Sequence, residues 1–239
     1  MKILVSGSTG LIGSALVPFL TTGGHSVVRL IRAQPRPGQA AVHWDPAAGK
    51  IDSNALEGLD AVVHLAGENI AVRRWTPAQK ARIRDSRVQG TRLLAQSLAR
   101  LQQPPTVMVC ASAIGFYGDR GEELLTEGSA PGSGFLTDTC RAWEAAAQPA
   151  SEKDIRVVNL RLGVVLSPGG GALAKMLLPF RLGVGGKIGS GRQYMSWISL
   201  PDLIQVIHYA LDHSDLDGPV NAVAPGPITN LEFTKTLGK

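Results

Sequence analysis

Residues 2–13 read KILVSGSTGLIG: an apolar run, Ile3-Leu4-Val5, halts at Ser6 and gives way to glycines at 7, 10 and 13. This pattern predicts a buried strand that turns sharply into a helix. Gly7 permits the tight turn, Gly10 leaves the backbone open to an approaching pyrophosphate, and Gly13 lets the helix lie close on the sheet. Leu11, Ile12, Ala15, Leu16 and Leu20 follow at helical spacing, so free N–H groups at the helix N-terminus point at an anion. Thr9, Leu11 and Ile12 complete the candidate cradle. A glycine-rich turn in some other α/β domain is the competing reading.

A second strand, Val27 to Arg32, lies downstream. About twenty residues past the glycines, a fold that prefers NAD places Asp or Glu to accept from the ribose 2′-hydroxyl. Arg32 stands there instead, and a guanidinium can clasp a 2′-phosphate with two hydrogen bonds, which points to NADP(H). An exposed arginine at a strand end is the alternative. Pro18 is expected to break or bend the first helix.

Further strands are predicted near Ala41–Trp44, over Leu59–Gly67, where near-continuous apolar character suits a sheet covered on both faces, and over Thr106–Ser112. Leu65, Ala66 and Gly67 end the Leu59–Gly67 strand beside the expected dinucleotide. His64 reads as a hydrogen-bonded core histidine. A helix from Thr76-Pro77 to about Leu101 buries Val88, Thr91, Leu94, Ala95, Leu98 and Leu101, and Pro104-Pro105 stops it. Ser112 closes the Thr106–Ser112 strand at the sheet end where doubly wound folds hold their chemistry. A long loop, Ile114–Gly134, carries Phe116, Tyr117, Asp119, Arg120 and several glutamates.

A helix over Phe135–Ala147 and a strand over Ile155–Leu166 come next, then an apolar helix opened by Gly169-Gly170-Gly171. The glycine-rich segment past Gly183 reads as hairpin and loop over the site. Pro201-Asp202 starts another helix, Val220–Val223 forms a short strand, and Thr229 with Glu232 forms a capping box for a last helix. The fold class is α/β, a doubly wound parallel sheet. Residues 1–165 are expected to form a dinucleotide-binding domain, and 166–239 a partial, small substrate-side lobe interleaved with the last sheet strand.

At 239 residues and 44% hydrophobic content the chain has ample material for a core. No apolar run approaches the roughly 20 residues that span a bilayer, so no membrane partner is expected and a cytoplasmic location is the default. Two cysteines, Cys110 and Cys140, fit a reducing compartment better than a disulfide framework. The net charge of +5 is concentrated around Arg73, Arg74, Lys80, Arg82, Arg84, Arg87 and Arg92. Without zinc-finger or RNA-binding spacing, that cluster reads as a solvated face toward an anionic ligand rather than a nucleic-acid surface. A homodimer through this helix is open, and nothing in the sequence decides it.

The G-x-x-G-x-x-G spacing resembles the signature of extended short-chain dehydrogenases/reductases. HLAGENI, RRW at Trp75, RDSRVQGT ending at Thr91, SAIGFYGDRG, WEAAA from Trp143, LRLGVVLSPGGGAL and GRQYMSWI together resemble an atypical branch, the epimerase family proteins or nucleoside-diphosphate-sugar epimerases. The likeness spans essentially the whole chain and implies a Rossmann fold and NADP(H). Relatives usually run on into a small C-terminal domain, which implies a truncated or naturally short chain. Extended reductases also carry a Tyr-x-x-x-Lys on the helix after the serine, the tyrosine moving a proton and the lysine lowering its pKa and holding the ribose. Aligning Ser112 and Glu144 to that pattern puts Leu136 at the tyrosine position and Cys140 at the lysine position.

Tyr117 and Ser112 are the remaining catalytic candidates, with Tyr117 as a proton relay alongside Ser112, Asp119 or Glu68, or else a packing tyrosine with an exposed hydroxyl. Cys140 is either a redox-sensitive thiol or a buried helical cysteine. Arg73, Arg74, Arg161 and Arg192 are candidates for receiving an anionic small-molecule substrate, although Arg161 also suits a structural role. The expected activity is an NADP(H)-dependent oxidoreductase or epimerase-like reaction on a small or nucleotide-linked carbonyl or alcohol. The rival is a non-catalytic NADP(H)-binding regulatory protein, since some relatives are described as cell-division inhibitors. No metal site is expected.

Overall fold

A computed structural model describes residues 1–71 and 73–239. In chain order the elements are β1 (Lys2–Ser6), α1 (Leu11–Thr22), β2 (Ser26–Ile31), β3 (Ala41–Asp45), β4 (Lys50–Ile51), β5 (Ala61–His64), α2 (Pro77–Leu98), β6 (Val107–Ala113), α3 (Phe135–Ala145) and α4 (Gln148–Ser151). They continue with β7 (Arg156–Leu162), β8 (Val164–Ser167), α5 (Gly171–Arg181), β9 (Tyr194–Met195), β10 (Trp197–Ser199), α6 (Leu200–Asp212), β11 (Gly218–Ala222), β12 (Ile228–Thr229) and α7 (Asn230–Leu237). Eight strands form one sheet in the order β11-β7-β6-β5-β1-β2-β3-β4, parallel throughout except where β4 runs back along β3. This is the doubly wound α/β sheet that the alternation of apolar strands and helices predicts.

Successive side chains on a strand point to opposite faces, so both faces of an apolar strand must be covered. Ile3 and Val5 pack with Leu16, Leu20, Leu203 and Ile207 of α1 and α6, whereas Leu4 packs with Leu94, Leu98 and Met108 on the α2 side. Connections leave β1 for β2 in one direction and return to place β5 on its other flank. The order therefore reverses between β1 and β5, and a crevice opens there at the carboxyl ends of the strands.

Several boundaries differ from the sequence reading. α1 runs through Pro18 without interruption, because Pro18 sits on its exposed face, where water can serve the unpaired carbonyl. α2 ends at Leu98 rather than near Leu101: the Glu57 carboxylate takes the N–H groups of Gln102 and Gln103, both at 3.0 Å, and draws the chain out of the helix. The single strand expected over Ile155–Leu166 divides at Gly163, where a Cβ would stand 2.9 Å from the Ser196 carbonyl oxygen. β8 thereby leaves the main sheet to pair with β10.

The glycine-rich stretch after Gly183 does not fold on itself as a hairpin; β9 pairs with β12 instead. The capping box forms as expected, Thr229 N–H donating to Glu232 at 2.8 Å and Glu232 N–H to the Thr229 hydroxyl at 3.2 Å. Among the described residues no helix is long and apolar enough to cross a membrane.

Candidate active site at the carboxyl edge of the sheet

Gly7 adopts φ +65°, in the left-handed region, and a Cβ there would meet the Leu65 carbonyl carbon at 2.8 Å. A Cβ on Gly13 would lie 2.3 Å from the Gly7 carbonyl oxygen, so the first turn of α1 can rest on the loop only because that side chain is missing. Gly10 has ordinary extended backbone, no side chain caps the helix behind it, and a Cβ there would come no nearer than 3.3 Å to protein. Packing at 10 is tight against one atom, the Gly7 carbonyl oxygen, and open elsewhere, a milder demand than at 7 and 13. Thr9 is exposed, Leu11 and Ile12 are half-buried, and Leu11 also props the Gly170-Gly171 turn that opens α5.

Ser6 holds the two sides of the crevice together. Its Oγ accepts from the N–H groups of Leu65 (3.0 Å) and Ala66 (3.2 Å) and lies 2.8 Å from His64 Nδ1. With two donors already on its oxygen, the hydroxyl gives its proton to Nδ1, so the ring hydrogen of His64 sits on Nε2, which has no partner. Diversion of the Leu65 and Ala66 amides also explains why β5 stops at His64, short of the expected Gly67. Leu65, Ala66 and Gly67 lie as a strip across the crevice floor.

Burial lowers the pKa of His64 to about 4. An unfolded chain binds this proton near the ordinary histidine value, so between pH 6.5 and about 4 the unfolded state holds more protons and stability falls as the pH drops. His64 should account for roughly 3 kcal/mol lost across that window. Urea unfolding of wild type and His64→Gln from pH 7 to pH 4 checks this; parallel stability curves would rule His64 out as the source.

Arg32 lies in the bend immediately after β2, exposed and without an acidic partner among the described residues. Register pairs Ser6 with Leu30, so Arg32 follows the end of β2 that lies beside the start of the glycine loop. Arg73, Arg74 and Arg192 are exposed. Arg161, grouped with them as a candidate for an anionic substrate, is 3% exposed and committed inside the protein.

Arg161 sits on β7 and forms a two-pronged ion pair with Glu144 of α3, at 2.9 Å through both Nε and Nη2. Its Cζ stacks 3.5 Å from the centroid of the Phe116 ring. Burial works to lower the guanidinium pKa, and hydrogen bonds with Glu144 and Tyr117 outweigh it, leaving the group raised and always charged. Ser112 donates to Glu144 at 2.6 Å; the Tyr117 hydroxyl donates to Asn221 at 2.6 Å and accepts from Arg161 at 2.9 Å. Glu127 joins through its carbonyl, bonded by Arg161, and its carboxylate, bonded by the Asn221 N–H.

Ser112 and Tyr117 are therefore brought into one buried network but do not touch each other. The Tyr117 hydroxyl is enclosed, which corrects the expectation of an exposed one, and its partners are Arg161 and Asn221 rather than Asp119 or Glu68. Leu136 and Cys140 stand beside the Ile114–Phe116 turn, as a Cβ on Gly115 would lie 3.2 Å from Leu136 Cβ and 3.8 Å from Cys140 Sγ. Burial pushes the Cys140 thiol up to about 11 and the Cys110 thiol up to about 12, so both stay protonated, and neither is in a disulfide. No cluster of metal-binding side chains occurs among the described residues.

With this geometry in place, the sequence over residues 3–223 matches the NAD dependent epimerase/dehydratase family. The chain belongs to that family. Within it, an epimerase family protein of Mycobacterium bovis is 44% identical over 237 residues, covering 99% of this chain and 78% of that protein. The crystal structure of the nucleoside-diphosphate sugar epimerase from Corynebacterium glutamicum superposes with a TM-score of 0.89 at 44% identity, covering 99% of this chain and 49% of that one. This chain thus spans about half of the Corynebacterium protein. Human epimerase family protein SDR39U1 (isoform 2), crystallised with NADPH, superposes with a TM-score of 0.89 at 40% identity, covering 100% of this chain and 79% of that one. Against that epimerase/dehydratase background, Glu144, Asn221 and Arg87 are the residues whose roles the sequence reading missed. The places of Glu144 and Arg87 in the WEAAA and RDSRVQGT motifs hinted at two of them, and no motif marked Asn221.

Proposed function

We propose that the crevice binds NADP(H) and that the protein is an NADP(H)-dependent oxidoreductase or epimerase-like enzyme for a small or nucleotide-linked carbonyl or alcohol. The observation that carries this reading is the Gly10 end of α1: no side chain caps the helix, and a Cβ on Gly10 would meet a single protein atom within 4 Å, the Gly7 carbonyl oxygen, so the bare backbone there faces outward to an external anion. Gly7, Thr9, Gly10, Leu11, Ile12 and Gly13 would hold the diphosphate, Leu65, Ala66 and Gly67 would line the way from the adenine ribose to the pyrophosphate, and Ser112 the floor near the nicotinamide. Hydride chemistry belongs to the cofactor; the chain supplies orientation and exclusion of water. Crystallisation of the human relative with NADPH supports the choice of cofactor.

Arg32 is the group proposed for the 2′-phosphate. Arg32→Asp should weaken NADPH by about tenfold or more while improving NADH relative to it, read by cofactor fluorescence titration. Unchanged relative affinities would remove Arg32 from that role.

A second reading, cofactor binding without turnover, is favoured by the side chains of the reacting end. Leu136 and Cys140 provide neither a proton donor nor a cation, and the hydroxyls of Ser112 and Tyr117 are already engaged. Incubation with NADPH and a panel of carbonyls and nucleotide sugars separates the two readings: steady oxidation supports the enzyme, and tight binding without consumption supports the regulatory protein.

A further inference from the structure

Arg87 of α2 is a half-buried cation with a use that the folded chain alone does not exhaust. Its Nη1 donates to the carbonyls of Glu68 and Ile83, both at 3.0 Å, and its Cζ lies over the Trp143 ring, 5.0 Å from the centroid. Trp143 is itself fixed, its indole N–H donating to Thr91 at 2.9 Å one turn further along α2. On its other side the guanidinium abuts the crevice floor, since a Cβ on Gly67 would come within 3.2 Å of Cζ. Nε and Nη2 have no protein acceptor among the described residues. Neither is sealed away, because the only fully buried side-chain atom without a partner among those residues is His64 Nε2.

Cys140, the position where an extended reductase carries lysine, lies on α3 one turn before Trp143, within reach of the Arg87 charge. A small thiol there leaves the α2–α3 seam open to a long side chain entering from α2. We propose that Arg87 supplies from α2 the cation otherwise provided by that lysine, with Nε and Nη2 hydrogen-bonding the ribose hydroxyls beside the nicotinamide of a bound NADP(H). The assignment rests on the cofactor reading above.

The chemistry suits the exchange. A lysine in that position has two tasks, lowering the pKa of a tyrosine and holding the ribose. With Leu136 in place of the tyrosine, only the second remains. A guanidinium offers several donors in a rigid planar fork, stays charged and passes on no proton, which matches a holding role.

The test titrates the protein with NADPH and, separately, with 2′,5′-ADP, which carries the 2′-phosphate but lacks the nicotinamide ribose. Arg87→Met should lose about tenfold or more in NADPH affinity and stay within about twofold for 2′,5′-ADP. Arg87→Gln, which keeps a donor for the Glu68 and Ile83 carbonyls, should show the same selective loss. Equal loss for both ligands in the two variants, or no loss for either, overturns the assignment. Wild-type protein that binds neither ligand overturns the cofactor reading and this one with it, an outcome separate from wild type that binds both while the variants match it.

Discussion

Arg161→Met should destabilise the protein by about 3–5 kcal/mol in equilibrium urea unfolding. The ion pair with Glu144 has both partners out of water, with side-chain exposures of 4% and 14%. Removing the guanidinium leaves the carboxylate facing only the Ser112 hydroxyl at 2.6 Å, and also takes a donor from Tyr117 and the cation from the Phe116 ring. Adding Glu144→Gln should recover part of the loss, because the second change removes the stranded charge. A single variant within 1 kcal/mol of wild type would mean that water already reaches the pair and that the network does not hold the Ile114–Gly134 segment. Breaking a surface pair such as Arg84 with Asp85 should change stability by less than about 1 kcal/mol.

Gly10→Val should reduce NADPH affinity at least roughly a hundredfold while leaving the unfolding midpoint near wild type. Gly10 has φ −78° and ψ 176°, open to any L-residue, and its added Cβ would press only on the Gly7 carbonyl oxygen, 3.3 Å away, which a shift of a few tenths of an ångström relieves. The isopropyl group would instead fill the space in front of the α1 N-terminus. Calorimetry with NADPH reads the outcome, and retained heat would remove the glycine turn from the dinucleotide site. Gly13→Val makes the contrast: a Cβ 2.3 Å from the Gly7 oxygen forces helix and loop apart, so there the unfolding midpoint itself should drop.

What was legible in the chain was whatever repeats locally. Ile3-Leu4-Val5 announces a strand buried on both faces, and Leu94, Ala95 and Leu98 give α2 its covered side. Thr229 and Glu232 announce a helix start three residues apart. Each of these signals lies within one or two turns of backbone, where spacing fixes direction. The glycines at 7, 10 and 13 were readable through their spacing, although the backbone that crowds Gly7 belongs to distant Leu65 and Ala66, whereas Gly13 is crowded by its own loop.

The buried network was not legible, because its members come from distant elements. Glu144 and Arg161 are 17 residues apart on a helix and a strand, and Tyr117 reaches an acceptor 104 residues on. No periodicity records such a pairing, and the sequence left Arg161 open between receiving an anion and a structural role. Gly163 posed a different difficulty. A single glycine inside an apolar run is compatible with an unbroken strand, and only the Ser196 carbonyl opposite it shows why the chain divides. Glu57 likewise gives no local sign that it will end a helix more than forty residues downstream.

The span between Tyr117 and Asn221 has a consequence for biosynthesis. A ribosome adding residues at about 5–20 per second needs roughly 5 to 20 s to travel from one to the other. For that interval the phenol lacks its Asn221 acceptor and Glu127 its Asn221 donor, and over the later part of it, once β7 exists, the outer edge of β7 is unpaired because β11 has yet to be made. An open parallel edge in a nascent chain invites pairing with a neighbouring polypeptide. Slowing elongation after residue 161 should lengthen that window.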